Sequence, residues 1–272
     1  MYRISIIGAG NVATQFAIAF QKAGHQVVCI CNRNLEKAEQ LCRIVGRYKG
    51  KAICTSDYNA IPQSDIVFIC VADSAIEGVA TNICTPSDST VYVHTSGATK
   101  MDLFQTNPAI KRYGVFYPLM TLSKNKNLDI KMVPFLLEAS DKSGEEMLSA
   151  LVKSLKAEYN ICTSQKRLQM HTAAVFTTNF VNYMLTLAYD IANPDFTFLL
   201  PSAIEAVRKA FLQTPMSAQT GPALRKDMKT LENHMQLLQE KGFTEHLEIY
   251  RTLSEHIIKR YQSDRTAGQS RQ

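Results

Sequence analysis

RISIIGAGNVA, at residues 3–13, joins a short apolar run to a glycine-rich turn, and an amphipathic pattern follows it. The turn, Gly8-Ala9-Gly10-Asn11-Val12-Ala13, is a G-x-G-x-x-A sequence placed where a predicted strand passes into a helix. This arrangement seats the pyrophosphate of a dinucleotide on a helix N-terminus. The hexapeptide alone is weak evidence, but its setting predicts that a dinucleotide cofactor binds at Gly8, Ala9, Gly10, Asn11 and Val12.

The second predicted strand, 26–31, ends at a pair of residues that indicates which dinucleotide binds. An NAD-binding protein usually carries an acidic residue about 20 positions beyond the glycine turn, where it contacts the ribose hydroxyls. This chain has Asn32 there, followed by Arg33. An amide and a guanidinium can bind a ribose 2′-phosphate, which a carboxylate would repel. The pair predicts NADP as the cofactor. The alternative is that Arg33 is a surface charge beside Asn34, the cap of the next helix.

Further apolar strands alternate with helical patterns along the first half of the chain. They are predicted at 65–71, 90–94, 113–116, 134–138 and 158–162. This alternation predicts the α/β class and a Rossmann doubly wound parallel sheet, which binds ligands at the carboxyl ends of its strands. Val71 ends one strand, Ala72 and Asp73 follow it and Ser96 follows the next, so we expect them to line the ribose and nicotinamide. Asp73 has the alternative role of a helix cap.

From Ser164 onward the pattern is helical throughout. It predicts a Rossmann domain at 1–163, an all-helical domain at 164–262 and a polar tail at 263–272. Ser164 is expected to cap a long helix that reaches Ile191 and is apolar on most sides. A domain of about 100 residues buries such a helix best against a second subunit, which predicts a homodimer.

Two polar residues on that helix are candidates for chemistry, because an unpaired polar group is costly to bury. His171 and Asn179 lie two turns apart, about 80° around an α-helix. His171 could transfer a proton and Asn179 could orient a carbonyl or an amide. The alternative is that both are interior residues that bind backbone carbonyls. Further along, Arg225 suits an anionic ligand, although an Arg225–Asp227 pair is as plausible.

Composition excludes several classes of protein. The net charge of +6 arises from residues spread along the chain, so we expect neither a nucleic-acid partner nor a membrane. No apolar run approaches the ~20 residues of a membrane span, and the N-terminus lacks a signal-peptide pattern, which predicts a cytoplasmic protein. The seven cysteines lack paired metal-binding spacing, so we expect free thiols and no metal.

Five ordered motifs carry a resemblance to a known family: IIGAGNVA, DIVFICVADSAI, VHTSGA, HTAAVFTTNF and TGPALRKD. Over nearly its whole length the chain resembles bacterial Rossmann-like NADP oxidoreductases, which are related to the deazaflavin-dependent NADP oxidoreductases. It is more distantly similar to pyrroline-5-carboxylate reductase and the 6-phosphogluconate dehydrogenase superfamily. The resemblance implies an N-terminal Rossmann domain and a C-terminal helical domain that forms dimers in relatives.

Two positions depart from the pattern of these relatives. Relatives commonly have His-Pro where this chain has Tyr117-Pro118, so the role of that imidazole is absent or passes to the Tyr hydroxyl. The β-hydroxyacid dehydrogenases of the superfamily place a catalytic lysine four residues before an asparagine. Here the residue four before Asn179 is Val175. We therefore expect neither a lysine-dependent mechanism nor a hydroxyacid substrate of that type.

These observations predict an NADP-dependent oxidoreductase that transfers a hydride between NADPH and a small carbonyl or imine substrate. His171 is the candidate for proton transfer and Asn179 for positioning the substrate. The alternative function is a non-catalytic NADP-binding sensor or scaffold, which the apolar Val175 and the Tyr117 replacement favour. Hydride transfer to or from a deazaflavin is a third possibility.

Overall fold

Eight strands form one sheet in the computed structural model, which describes the backbone of residues 1–48, 50–83, 87–125 and 128–269. The strands are β1 Arg3–Ile7, β2 Gln26–Cys31, β3 Ile53–Thr55, β4 Ile66–Ile69, β5 Val91–His94, β6 Arg112–Pro118, β7 Phe135–Ala139 and β8 Tyr159–Ile161. Their order across the sheet is β3-β2-β1-β4-β5-β6-β7-β8. β1 and the glycine turn therefore lie inside the sheet, as a doubly wound Rossmann fold requires.

The sheet is mostly parallel, but its last two strands run in the opposite direction. β1 to β6 are mutually parallel, β7 pairs antiparallel with β6, and β8 is parallel to β7. The described part of the connection from Pro118 to Phe135 contains a 3₁₀ turn, Ile130–Met132, and no α-helix. A parallel neighbour needs a crossover connection, which is usually helical, so β7 returns antiparallel.

Both faces of the sheet are buried. Five phenylalanine rings pack on one face with centroid distances of 4.8 to 6.4 Å, namely Phe16, Phe20, Phe68, Phe116 and Phe135. The other face forms a separate cluster around Ile69, Ile76 and Phe104. Alternate residues of β4 and β5 enter the two clusters, and β4, whose two faces are both buried, is apolar throughout.

The helices cover the sheet and then continue alone. They are α1 Asn11–Lys22, α2 Leu35–Gly46, α3 Asp73–Asn82, α4 Lys142–Ser154, α5 Ser164–Val175, α6 Val181–Ala192, α7 Leu200–Leu212, α8 Pro215–Ala218, α9 Pro222–Arg225, α10 Met228–Glu240 and α11 Thr244–Gln269. A π-helical turn, Phe176–Phe180, joins α5 to α6. The polar tail predicted at 263–272 is thus helical to Gln269, and residues 270–272 lie outside the described part.

The predicted long helix differs from expectation in two ways. Thr163, rather than Ser164, caps it, because the Thr163 side chain accepts a hydrogen bond from the Lys166 amide. The π turn interrupts its α-helical hydrogen bonding. Several of its apolar side chains are also not covered within the single chain, with 63% of Phe176 and 47% of Phe180 accessible, so the expected burial against a second subunit stays a prediction.

Contacts divide the chain into two compact units, Met1–Thr178 and Asn179–Gln272. The division falls inside the π turn, and the boundary at 163 stays a prediction. In the second unit, Leu187, Leu231 and Leu238 are buried, and α10 packs on α11. None of the described helices is long and apolar enough to cross a membrane. The described cysteines are free thiols, and Cys84 lies outside the described residues.

Candidate active site

The glycine turn is held by close contacts among three strands. Gly8 has φ +118°, a conformation that glycine adopts readily and other residues rarely do. Its amide donates to the Cys31 carbonyl at 2.7 Å. A Cβ on Gly8 would collide with the carbonyl of Cys70 at the end of β4. A Cβ on Gly10, in contrast, would meet no described atom within 4 Å, so the N-terminus of α1 is open.

A cleft of about 630 Å³ extends from this turn. Seven of the residues expected to bind the cofactor line it, namely Gly8, Ala9, Gly10, Asn32, Arg33, Val71 and Ala72. Cys70 also lines it, and burial raises the pKa of that thiol to about 12, so it stays protonated. The cleft therefore offers backbone amides, an amide side chain and cationic side chains rather than a nucleophile.

At the far end of the cleft, the cationic side chains of Arg33 and Lys37 lie beside the N-terminus of α2. The Asn34 side chain caps α2 by accepting from the Lys37 amide at 3.1 Å. The side-chain amide of Asn32 donates to the Asn34 carbonyl at 2.9 Å, which fixes the turn that carries Arg33. Asn34 is thus a cap, as the alternative held, while Arg33 also lines the cleft. Lys37 lines it too and went unnoticed in the sequence, although its position one turn beyond Arg33 was a usable signal.

Four expected cofactor residues lie outside the lining of this cleft. Asn11 begins α1, and its side chain accepts from the Lys124 amide at 3.2 Å. Val12 follows it and packs against the core. Asp73 is the first residue of α3 and makes no capping bond, because Ala72 occupies the cap position. The cap alternative for Asp73 is therefore wrong.

Ser96, the fourth of these residues, is buried and shapes the loop after β5. Its hydroxyl accepts from the amides of Ala98 at 3.2 Å and Thr99 at 3.0 Å. Its own amide donates to Nδ1 of His94 at 3.2 Å. These bonds fix the position of Gly97 at the carboxyl end of the sheet.

Tyr117 and His171 form a hydrogen-bonded pair against Gly97. Tyr117 Oη and His171 Nδ1 are 2.8 Å apart, and the rings meet edge to face at 5.6 Å between centroids. A Cβ on Gly97 would lie 2.6 Å from His171 Nδ1 and 2.7 Å from Tyr117 Cζ. The ends of β5 and β6 and the middle of α5 therefore meet at these three residues.

The charge environment keeps the proton on Tyr117. Burial raises the pKa of the phenol, the Asp73 carboxylate raises it further, and the Arg167 guanidinium acts in the opposite direction. A protonated phenol can donate to Nδ1, which would leave the ring proton of neutral His171 on Nε2. The pair can then pass a proton outward from Nε2.

A solved structure from Bacteroides fragilis identifies the family. The protein, named "putative NADP oxidoreductase", is 32% identical to this chain. The match covers 95% of this chain and 98% of that protein, with a TM-score of 0.83. The chain belongs to the NADP oxidoreductase family. The predicted family, enzyme class and NADP cofactor are thereby confirmed.

Family models match the NADP oxidoreductase in two parts. Residues 3–96 match the model described as "NADP oxidoreductase coenzyme F420-dependent", and residues 133–257 match a domain of unknown function, DUF2520. No curated protein matches the chain.

Other solved structures share the fold at lower identity. One is a reductive aminase from Aspergillus terreus in complex with NADPH and ethyl-5-oxohexanoate, which is 16% identical. The match covers 96% of this chain and 94% of the aminase chain, with a TM-score of 0.71. A pyrroline-5-carboxylate reductase from Coxiella burnetii is also 16% identical. The match covers 96% of this chain and 97% of the reductase chain, with a TM-score of 0.54. Both agree with a Rossmann domain followed by helices.

His94 lies beside the active-site candidates of the NADP oxidoreductase but is not suited to proton transfer. It is fully buried, and burial, followed by the charge of Arg167, lowers its pKa to about 3. A histidine with this pKa is neutral near pH 7 and takes up a proton reluctantly. Its structural contribution is to accept the Ser96 amide and so hold the loop that carries Gly97.

Asn179 lies within the π turn, where each residue advances less than 100° around the axis. The expected 80° between His171 and Asn179 assumes an α-helix and therefore does not apply. In π geometry the residue one turn before Asn179 is Ala174 instead of Val175, and neither is a lysine. The role of Asn179 stays a prediction.

The polar segment before α10 is organised by Asp227. Its side chain accepts from the Thr230 hydroxyl at 2.7 Å and caps α10 by accepting from the Thr230 amide at 3.1 Å, and these two bonds lower the pKa of the carboxyl. Among the described residues, no ion pair joins Arg225 to Asp227. The described residues also contain no cluster of His, Cys, Asp or Glu suited to a metal ion.

Proposed function

We propose that this oxidoreductase transfers a hydride from NADPH to the carbon of a small imine or carbonyl compound, with His171 as the proton donor. The observation that carries the proposal is the Tyr117–His171 pair, packed on Gly97 at the carboxyl ends of β5 and β6. That edge of a doubly wound sheet is where such folds bind their ligands.

NADPH supplies the hydride when it is bound. His171 Nε2 donates a proton to the substrate nitrogen or oxygen, so that hydride and proton together complete the reduction. Tyr117 Oη then passes its proton to Nδ1, which keeps the imidazole neutral until solvent restores the phenol. The raised pKa of Tyr117 means that the phenol holds this proton at neutral pH and releases it only as His171 Nε2 gives up its own.

The Asp73 carboxylate favours the imine within this proposal. It lies near enough to Tyr117 to raise the pKa of the phenol, so the site carries negative charge close to the proton donor. An imine nitrogen that accepts the proton from His171 before the hydride arrives becomes a cation, which this negative charge would stabilise, whereas a ketone has no such basic nitrogen. The structural neighbours named reductive aminase and pyrroline-5-carboxylate reductase are consistent with chemistry at a carbon–nitrogen bond.

The test is oxidation of NADPH in the presence of 1-pyrroline or the matching ketone cyclopentanone. We expect 1-pyrroline to be reduced faster. A deazaflavin is the alternative hydride acceptor, because the model that matches residues 3–96 is described as F420-dependent. Coenzyme F420 as the sole oxidant of NADPH would replace the proposed substrate. Tight NADPH binding without any oxidation would favour the sensor or scaffold function.

We assign the 2′-phosphate of NADPH to Arg33, Lys37 and the N-terminus of α2. Replacing Arg33 by alanine should weaken NADPH binding by about 10- to 100-fold, since a hydrogen bond to a charged group contributes about 1.5–3 kcal/mol. NADH affinity should stay unchanged. Fluorescence titration measures both, with Arg43→Ala on the same helix as the control. Equal loss for NADH and NADPH would contradict the assignment.

We further infer that the helical unit forms the interface of a homodimer. Val181, Leu185, Leu200, Ile204 and Val207 line an apolar groove of about 600 Å³ on α6 and α7. These side chains remain 38 to 60% exposed in the single chain. Exposed apolar patches of this kind usually mark protein interfaces, and closed two-fold dimers are the commonest oligomers.

Ile204→Glu should weaken the dimer by about 30-fold or more, the effect of losing a central interface side chain. Sedimentation velocity over a concentration series measures the change. Glu205→Gln is the control, because Glu205 pairs with Arg208 and does not line the groove. A wild-type protein that stays monomeric at micromolar concentration would refute the dimer.

A further inference from the structure

Arg167 is buried in α5 and joins three segments of the first unit. Only 1% of its side chain is accessible. Nη1 forms an ion pair with Glu138 of β7, while Nη2 donates to the Thr99 carbonyl at 2.5 Å and to Ser164 Oγ at 3.2 Å. Sequence reasoning missed it, because its partners are distant along the chain.

Glu138 completes the network from the opposite side. One carboxylate oxygen accepts from the Ser164 amide at 2.9 Å, and the other accepts from the Ser164 hydroxyl at 2.8 Å. Ser164 is the first residue of α5, so the carboxylate also binds the positive end of the helix dipole. The start of α5 is therefore fastened to β7 and to the loop after β5.

A network of this kind is not explained by stability alone. Burying an ion pair costs desolvation energy that the attraction between the two charges often fails to exceed. Well-packed apolar residues in the same place commonly give a protein that is at least as stable. What the guanidinium fork adds is geometric precision, because it directs donors at fixed angles to Glu138 and Thr99.

His171 lies one turn beyond Arg167 on the same side of α5. It contacts Gly97, which belongs to the same loop as Thr99, and it bonds to Tyr117 on β6, the neighbour of β7. Arg167 thus joins β7, the loop after β5 and the start of α5. The neighbour of β7 carries Tyr117, the loop carries Gly97, and α5 carries His171. The 2.6 Å between a Cβ at Gly97 and His171 Nδ1 shows that the imidazole lies directly against the Gly97 backbone.

We propose that Arg167 is a positioning residue, which with Glu138 and Ser164 sets the distance between His171 Nδ1 and Tyr117 Oη. The proposal rests on the proposed function, in which that pair delivers the proton. The Arg167 guanidinium also lowers the pKa of Tyr117, against burial and Asp73, and so eases release of the proton that the phenol passes to His171 Nδ1.

The test compares Arg167→Lys and Ser164→Ala with the wild-type protein. Lysine keeps the positive charge but cannot bind Glu138 and Thr99 at the same time as the guanidinium does. Ser164→Ala leaves the Arg167–Glu138 ion pair in place, so it tests the network even if Arg167→Lys does not fold. The ¹⁵N shift of His171 Nδ1, assigned with His171→Gln, reports the bond to Tyr117 without any substrate. We expect that shift to change in both variants and kcat with 1-pyrroline to fall about 10- to 100-fold, as for a misplaced catalytic group. KM and NADPH affinity should stay unchanged.

Arg112→Lys is the matched control. Arg112 pairs with the Asp141 carboxylate through two bonds of 3.1 Å and makes no contact with α5 among the described hydrogen bonds, so it is an Arg–carboxylate pair of the same unit outside the network. It should leave the His171 shift and kcat unchanged. Folded Arg167→Lys and Ser164→Ala proteins with the wild-type shift would overturn the positioning role. Unchanged turnover in His171→Gln would instead overturn the proposed function, whatever the shift shows.

Discussion

Replacing His171 by glutamine should lower NADPH turnover with 1-pyrroline by about 10²-fold or more, the usual contribution of a positioned general acid. Glutamine preserves polarity and approximate length but cannot deliver a proton as imidazole does. NADPH affinity should not change, because His171 does not line the cleft that contains Gly8, Asn32 and Arg33. Steady-state kinetics and fluorescence titration separate the two effects.

His234→Gln is the control for that experiment. His234 Nδ1 lies 2.8 Å from Tyr250 Oη, and the two rings meet at 79°, so the helical unit contains a pair with nearly the same geometry. Its loss should leave turnover unchanged. Tyr117→Phe should reduce turnover less than His171→Gln does, since it removes only the second proton donor. Equal turnover in wild type and His171→Gln would exclude His171 as the acid.

Alanine substitutions at Gly8 and Gly10 of the glycine turn should affect different properties, stability in the first case and NADPH binding in the second. Gly8→Ala forces a side chain into the φ +118° conformation and against the Cys70 carbonyl, so we expect a loss of stability of about 2 kcal/mol or more. Gly10→Ala meets no described atom within 4 Å and should cost less than about 1 kcal/mol, the difference between these residues at a helix cap.

NADPH binding should nevertheless be lost in Gly10→Ala, because the added methyl occupies the space through which a pyrophosphate approaches the backbone. Urea denaturation measures stability, and fluorescence titration measures binding. Gly24→Ala is a useful comparison for strain alone, since Gly24 has φ +86° and open space around its Cβ position among the described residues. Full NADPH affinity in a folded Gly10→Ala protein would place the pyrophosphate elsewhere.

The proposed cofactor half of the site could be put forward from the sequence because its determinants are local. A glycine turn between a strand and a helix, with Asn32 and Arg33 at the end of the next strand, is readable from spacing, and seven of the predicted residues line one cleft. Ser96 and Asn11 were also singled out, but their side chains bond to the loops beside them. Spacing alone does not distinguish a polar group that awaits a ligand from one already bonded.

The proposed proton-transfer half depends on contacts between distant segments. His171 could be suspected as a polar residue on an apolar helix, yet its bond to Tyr117 spans 54 positions. Arg167 and Glu138 each look like surface charges in the sequence, and only the packing of α5 against β7 makes them a buried pair. The reversal of β7, which sets that packing, likewise depends on how its connecting loop folds.

The π turn at Phe176–Phe180 affects how this chain should be aligned with its relatives. A π turn corresponds to one residue inserted into an α-helix, so side chains beyond Phe180 are displaced by one position relative to an uninterrupted helix. An ungapped alignment from α5 into α6 would then equate side chains about 100° apart around the axis. Residue roles should be transferred across this turn only after a one-residue gap has been placed within it.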